Sequence, residues 1–308
     1  MEQSFPLILN KNSGTTLRLG EERVREMIEQ HLRGMVSSMI FVDGKDMAGE
    51  LKKAARKSPH GVLVGGGDGS AVCAAECLRD TGTAFGILPF GTMNMLAQDL
   101  GAATNLETTL ERFRRFKPDA IDCGVVNGKI FLCAAIIGFV PEGAVAREEL
   151  REELSIGNLA RFLTTLAQGV AGGIRHDLLL KRHIDDDDDD AAPLSTTSLV
   201  IANNSFSGND AAAGGFSRGA IQDGKLAVYS VAPEGMLDGL TMALSMWQGN
   251  WQDHDTIRSF ETEGLAIESG GEREMLITID GEPHSLEMPL QFSIQKRFIP
   301  VLRMELGE

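Results

Sequence analysis

No apolar run in this chain reaches the roughly 18 residues that a membrane-spanning helix needs, so no transmembrane helix is expected. The first residues, Met1-Glu2-Gln3-Ser4, have neither a basic segment nor a long apolar core, so no secretory signal is expected. Positive charge is scarce. The 29 Lys and Arg are outnumbered by 44 Asp and Glu, for a formal net charge of −15. That balance excludes a nucleic-acid binder, which needs a basic footprint. It also excludes tight, charge-driven docking on anionic lipid, so a membrane contact would need a local apolar or basic face. Cysteine is limited to Cys73, Cys77, Cys123 and Cys133, with no Cys-x-x-Cys pair. Cys73 and Cys77 lie one turn apart on an expected helix and read as small core residues, not metal ligands. The chain reads as cytosolic with reduced thiols. The six histidines include no pair with zinc-like helical spacing, and no Gly-x-Ser-x-Gly elbow or internal repeat occurs.

What is present is a chain of 308 residues, 43% hydrophobic, long enough for two domains with real cores. Its most informative stretch is Gly65-Gly66-Gly67-Asp68-Gly69-Ser70. It follows the apolar run Gly61-Val62-Leu63-Val64 and precedes a helix-like stretch from Ala71 to Arg79. That layout is strand, glycine loop, helix. Glycines let backbone N–H groups approach one anion, and the helix start adds partial positive charge. Asp68 makes sense there if a divalent cation bridges it to a phosphate, or if it orients a catalytic group. The loop is not a P-loop, because no Gly-Lys-Ser/Thr triplet exists in the chain. Nor is it the dinucleotide fingerprint, whose sixth place would be Ser70 or Val72 instead of Gly or Ala.

A second loop repeats the design. The strand-like Phe85-Gly86-Ile87-Leu88 leads into Pro89-Phe90-Gly91-Thr92-Met93-Asn94, and Met95 to Leu100 reads as helix. Two polar glycine loops at the carboxyl ends of consecutive parallel strands would face one crevice, where open α/β sheets bind ligands.

Along the chain, strands are expected at Pro6–Leu9, Met39–Val42 and the two loop-bearing runs, with helices at Glu21–Leu32 and Met47–Lys57. This alternation argues for a parallel sheet covered on both faces. Near Ala120 the pattern changes. Ile121 to Phe131 reads as two strands around an Asn127-Gly128 turn, and Asp119 to Asp122 as a domain junction. Glu142 to Ala171 reads as helical, and strands return at Ser198–Ala202, Leu226–Tyr229 and Leu276–Ile279. The six aspartates Asp185 to Asp190 read as a solvated loop. Asn203, Asn204 and Asp210 are polar and near glycines but suggest no role.

Four blocks in order resemble the bacterial lipid kinases of the diacylglycerol kinase catalytic-domain type, in particular the short single-chain lipid kinase-like proteins. Asn10-Lys11-Asn12-Ser13-Gly14 is similar to the family's Asn-Pro-x-Ser-Gly, and Gly66 to Ser70 to its Gly-Gly-Asp-Gly-Thr/Ser. Leu88 to Asn94 is similar to Pro-x-Gly-Thr-x-Asn, and Asp280-Gly281-Glu282-Pro283 to its Asp-Gly-Glu. The similarity runs from about residue 5 to 300. Three positions depart from the pattern: Lys11 replaces a proline, Cys73 a glutamate and Met95 an aspartate.

The resemblance implies an α/β N-terminal domain with a parallel sheet, of the NAD kinase and diacylglycerol kinase type, and a mainly β C-terminal sandwich. The boundaries would be 1–120 for nucleotide binding and 121–296 for the lipid substrate, with about 297–308 returning to the first domain. It implies ATP and magnesium. Asn10, Ser13, Gly14, Gly65, Gly66, Gly67, Asp68, Gly69, Ser70, Gly91, Thr92 and Asn94 would hold the nucleotide. Asp280 would be the general base, Glu282 and Asp68 would support it, and Asp223 with the carbonyls of Ala220 and Lys225 would hold a structural magnesium. Read from the residues alone, Asp280-Gly281 is a plain hairpin turn, and Asp223-Gly224 reads equally as a turn or a cation site. The acceptor would be a diacylglycerol-like or related lipid alcohol, met by transient peripheral contact with the inner membrane, and a homodimer is allowed. Two other readings stay open: a kinase of a soluble acceptor, and a nucleotide-binding regulator without kinase activity.

Overall fold

The structure, a computed structural model, describes residues 4–103, 105–138, 175–182, 191–207, 218, 220–235, 237–239, 241–242, 245 and 251–305. The helical reading of Glu142 to Ala171, the aspartate run and Asp210 lie outside these residues. The chain divides into two compact units, one of Met1–Cys123 with Lys296–Glu308 and one of Gly124–Gln295.

The first unit opens with β1 (Phe5–Asn10), α1 (Gly14–Leu19), α2 (Glu21–His31), β2 (Val36–Val42) and α3 (Gly44–Lys57). It continues with β3 (Val62–Gly66), α4 (Asp68–Leu78), β4 (Phe85–Pro89), α5 (Met95–Asp99) and α6 (Leu106–Phe113). The strands are parallel in the order β2-β1-β3-β4. β1, β3 and β4 are buried almost throughout, as parallel strands covered on both faces must be. Leu7, Leu9, Leu63 and Leu88 share a core with Val24 and Ile28 of α2 and Phe113 of α6. α3 and α4 pack on each other and against β1 and β3. Each fully buried Leu or Ile contributes about 1.5–3 kcal/mol, so this core holds the strand ends that carry the glycine loops.

The chain leaves the first unit along β5 (Phe116–Val126) and returns along β16 (Leu290–Met304). The expected junction at Asp119 to Asp122 lies within β5, which runs unbroken across the division between Cys123 and Gly124. The returning end of β16 pairs parallel to β4, Val301 beside Phe85.

The second unit holds β6 (Lys129–Phe131), β7 (Ala134–Gly138), β8 (His176–Arg182), β9 (Ala191–Thr196), β10 (Ser198–Asn203) and β11 (Leu226–Val231). It also holds β12 (Ile257–Thr262), β13 (Gly264–Ser269), β14 (Glu274–Ile279) and β15 (Glu282–Glu287). One antiparallel sheet runs β12-β11-β10-β7-β14-β15, and β16-β13-β8-β9 form a second antiparallel set. Ile137, Ile201, Val228 and Ile277 from the first sheet and Leu180, Leu265, Ile267 and Phe292 from the second form one core. The described strands of the second unit thus form the expected mainly β domain, with side chains from two sheets in one core. Both expected hairpin turns form. Asn127 and Gly128 have φ of 45° and 82°, and Asp280 and Gly281 of 45° and 90°. Successive positive φ values are what a two-residue type I′ turn requires.

Candidate active site

Three loops at the carboxyl ends of β1, β3 and β4 meet in the first unit. The loops after β3 and β4 touch backbone to backbone. A Cβ on Gly91 would lie 2.4 Å from the Cα of Gly67. A Cβ on Gly66 would lie 2.2 Å from Ser70 Oγ, and one on Gly65 would strike Leu9. Phe90 N–H donates to Gly66 O at 3.0 Å, and Thr15 N–H donates to Phe90 O at 2.9 Å, which adds the first loop. Asn10 Nδ2 reaches Ser70 Oγ at 3.4 Å. Gly14 stands about 4.0 Å from Phe90 O and Thr92 Oγ1, measured from where its Cβ would be.

α4 opens at Asp68, ahead of the expected start at Ala71, so Asp68, Gly69 and Ser70 form its first turn. The N–H groups of a first helical turn have no partner within the helix, so a phosphate placed here meets several donors and the positive end of the helix. Asp68 does a second job. Its Oδ1 accepts from Leu96 N–H at 3.2 Å, in the first turn of α5, and so ties one loop to the next helix. Asn94 folds the loop it belongs to. At φ 51° its Oδ1 accepts from Gly91 N–H at 2.8 Å and its Nδ2 donates to Gly91 O at 2.7 Å. Ser13 is buried with its hydroxyl 2.9 Å from that of Thr16, whereas Thr92 is exposed. Among the expected nucleotide contacts, Asn94 and Ser13 spend their side chains on nearby residues of their own segments, and Thr92 is exposed.

The three family departures also have places. Lys11 pairs with Asp43 at 2.8 Å, and Asn12 Nδ2 donates to the same carboxylate at 3.1 Å. The hydrogen bond from Lys11 holds the Asp43 carboxyl below its ordinary range, and the same bond holds the Lys11 ammonium above its own. A cavity of about 470 Å³ opens beside this pair, lined by Lys11, Phe41, Asp43, Lys45 and Lys53 among others. Cys73 is half-buried, not a core residue, and burial followed by the adjacent Cys77 pushes its thiol up to about 12. A thiol held protonated in this way is a poor nucleophile and a poor ligand. Met95 opens α5.

The second group of expected residues lies in the second unit. Asp280 follows β14 as the first turn residue, and its carboxylate accepts three backbone bonds. Oδ2 accepts from Leu132 N–H at 2.6 Å, and Oδ1 accepts from Cys133 N–H at 2.8 Å and Ala134 N–H at 2.9 Å. Asp280 N–H returns a bond to Ala134 O at 2.9 Å. Burial pushes the Asp280 carboxyl up, against those three bonds and the nearby Arg218 charge, which pull it down. A carboxylate raised toward neutrality is suited to accepting a proton. Glu282, two residues on, is exposed.

Asp223 is exposed in the turn before β11, and its N–H donates to Asn204 Oδ1 at 2.9 Å. The Lys225 carbonyl accepts from Asn204 N–H at 3.1 Å and keeps one lone pair. Among the described residues no cluster of three His, Cys, Asp or Glu side chains exists.

Sequence reading gave Asn203 and Asn204 no role and missed Arg218. All three are buried. Asn203 Nδ2 donates to Leu132 O at 3.0 Å, Asn204 Nδ2 to Asn203 Oδ1 at 3.2 Å, and Arg218 to Leu132 O and, at 3.0 Å, to Asn203 O. The chain of bonds links the Asp223 turn to the loop that holds Asp280. No local signal marks it, because its members are far apart in sequence.

Residues 4–126 match the profile of the diacylglycerol kinase catalytic domain. A protein of Enterobacter sp. (strain 638) named "Probable lipid kinase YegS-like" is 28% identical over 292 residues, 91% of this chain and 90% of that one. A protein of the same name from Pseudomonas savastanoi pv. phaseolicola is 32% identical over 129 residues, and an uncharacterised Synechocystis protein 25% over 177. The chain spans 40% of the length of each of these last two. Two crystal structures from Bacillus anthracis str. Sterne, assigned to diacylglycerol kinases, share the fold. They have TM-scores of 0.73 and 0.66 at 18% and 16% identity, covering 98% of this chain and 95% and 97% of theirs.

An α/β unit with paired glycine loops followed by a mainly β unit is the fold that these two structures share. Residues 4–126 carry a diacylglycerol kinase catalytic domain, and the chain over nearly its whole length is similar to a protein named as a probable YegS-like lipid kinase. No helix among its described residues is long and apolar enough to cross a membrane.

Proposed function

We propose that this protein is an ATP-dependent lipid kinase that phosphorylates a hydroxyl of a diacylglycerol-like or related lipid. The observation that carries the reading is the Gly67–Gly91 contact, which joins two loops into one phosphate cradle within the matched catalytic domain. In this reading the first turn of α4 and the Asn10 to Gly14 loop hold the ATP phosphates, with Thr92 as a further donor. Magnesium would neutralise phosphate charge during transfer, and the Asp223 turn would hold a structural ion. Transfer then needs an aligned acceptor and a base. The alcohol oxygen bonds to the γ-phosphorus, the bond to the β–γ bridging oxygen breaks, ADP leaves, and the hydroxyl proton goes to a carboxylate.

We assign that carboxylate to Asp280, whose burial favours proton uptake, with Glu282 in support. A second assignment is favoured by one observation: three N–H bonds occupy Asp280, whereas Glu282 is exposed. In that version Asp280 fixes the turn and Glu282 takes the proton. The test is magnesium-dependent transfer of labelled γ-phosphate from ATP to a panel of lipid alcohols, with Asp280→Asn and Glu282→Gln alongside. Transfer that Asp280→Asn abolishes and Glu282→Gln only weakens supports the first assignment, and the reverse pattern supports the second. ATP binding without transfer to any lipid would overturn the lipid kinase reading in favour of a soluble acceptor or a nucleotide-binding regulator. The lipid would be reached from the cytoplasmic side by transient contact with the membrane.

A further inference from the structure

Leu132, Cys133 and Ala134 connect β6 to β7, and their three N–H groups grip the Asp280 carboxylate. The peptide between Leu132 and Cys133 is held at both ends. Its N–H donates to Asp280 Oδ1 at 2.8 Å. Its carbonyl accepts from Asn203 Nδ2 at 3.0 Å and from the Arg218 guanidinium. The positive group thus faces the negative end of the peptide dipole, and the negative group faces its positive end. Arg218 is only 8% exposed and also donates to Asn203 O at 3.0 Å. Burying a guanidinium is costly unless its donors are used and its charge is balanced. Asn203 already supplies a neutral donor to the Leu132 carbonyl. What Arg218 adds is charge.

We propose that Arg218 is a positioning residue for phosphoryl transfer, holding the Asp280 carboxylate in register through the Leu132–Cys133 peptide. The proposal rests on the reading of the Asp280–Glu282 turn as the base site. A cation at the carbonyl polarises the peptide and strengthens its N–H as a donor, since bonded groups in series reinforce one another. Arg218 lies close enough to act on the carboxylate charge as well. Its bonds to Leu132 and Asn203 lie within the second unit, whereas the glycine loops belong to the first, so its loss should act on the transfer step and spare nucleotide binding. Lysine would keep the charge but offers a point donor in place of a planar fork, and could not serve both carbonyls equally.

The experiment compares Arg218→Met and Arg218→Lys with the wild-type chain in three measurements: lipid phosphorylation, ATP binding by equilibrium dialysis, and amide hydrogen exchange of Leu132, Cys133 and Ala134. The expected result is a fall in kcat of about tenfold or more in Arg218→Met, with KM for ATP within about twofold of wild type. Arg218→Lys recovers part of that loss, and exchange at the three amides is faster in Arg218→Met than in either other protein. An unchanged kcat in folded Arg218→Met overturns the proposal, as does a loss that falls on KM for ATP. Should Arg218→Met not fold, Arg218→Lys carries the test, with a several-fold lower kcat expected and an unchanged one overturning the idea. If wild-type protein transfers phosphate to no lipid, the kinase reading has failed independently. Amide exchange then decides alone, faster exchange in Arg218→Met than in wild type supporting the clamp and equal exchange overturning it.

Discussion

Gly67 and Gly91 lie 24 positions apart in the sequence, yet a single methyl group on Gly91 would come within 2.4 Å of the Gly67 Cα. Backbone stands on both sides of that contact, so no side chain can rotate away to relieve it. Gly91→Ala should therefore destabilise the first unit by about 1–3 kcal/mol and weaken ATP binding. Urea unfolding and ATP titration would check it. Gly49 is the matched control. It lies exposed inside α3, a methyl group placed on it would meet nothing within 4 Å, and Gly49→Ala should stabilise by about 0.5–1 kcal/mol.

Asn94 makes both of its side-chain bonds to the backbone of Gly91. Asn94→Ala removes both and leaves alanine at a φ of 51°, which it tolerates poorly. A loss of about 1–3 kcal/mol is expected. Asn94→Asp keeps the acceptor for Gly91 N–H and should recover part of it. Thermal unfolding of the three proteins separates these outcomes.

Asp280 couples stability to pH in a defined direction. Its carboxyl is raised in the folded chain, so above the unfolded value near 3.8 the folded state holds its proton more tightly than the unfolded state does. Its contribution is therefore fully present below that value and is lost as pH rises through the folded pKa. Stability of wild type relative to Asp280→Asn should fall over that window. Denaturant unfolding of both proteins from about pH 3.5 upward measures the difference, and a rising difference would contradict the direction.

Glu282 offers the opposite profile. It is exposed, so Glu282→Gln should unfold within about 0.5 kcal/mol of wild type. Any large loss of transfer in that variant then belongs to chemistry and not to folding. Asp280→Asn, which weakens three backbone bonds, should lose both.

The Asp223 turn predicts a magnesium effect on folding itself. An ion that binds only the folded chain stabilises it by about 2.7 kcal/mol at roughly a hundred times its dissociation constant. Magnesium should raise the unfolding temperature of wild type and leave that of Asp223→Ala unchanged. Equal shifts in both proteins would place the ion elsewhere.

Much of the first unit was legible in advance. Its strands and helices follow local periodicity, and each glycine loop sits where an apolar run ends. Element ends were less so: β2 begins at Val36, ahead of the expected start at Met39, because Ser37 and Ser38 are polar and both exposed, so no apolar alternation marks that end. Legibility failed where bonds join distant segments. Asp68 reads as a phosphate or metal residue but also caps Leu96, 28 positions away. Asp280 reads as a turn residue or a base, and nothing near it announces Leu132 to Ala134, 146 to 148 positions earlier. Arg218 stands among residues with no recognisable pattern, and only the folded chain shows which carbonyl it serves. The strands β8, β9, β12 and β13 also went unread, since short half-buried strands carry weak periodicity.

The pairing of Val301 with Phe85 has a consequence for how this protein is made. A ribosome delivers residues in order, and domains ordinarily fold as they emerge. Here the first unit cannot complete its sheet when the segment up to Cys123 appears, because β4 waits for a strand encoded after the whole second unit. During that interval β4 presents an open edge able to pair with another nascent chain. The returning strand therefore acts as a quality seal: only a chain translated through β16 can close the sheet that carries the glycine loops.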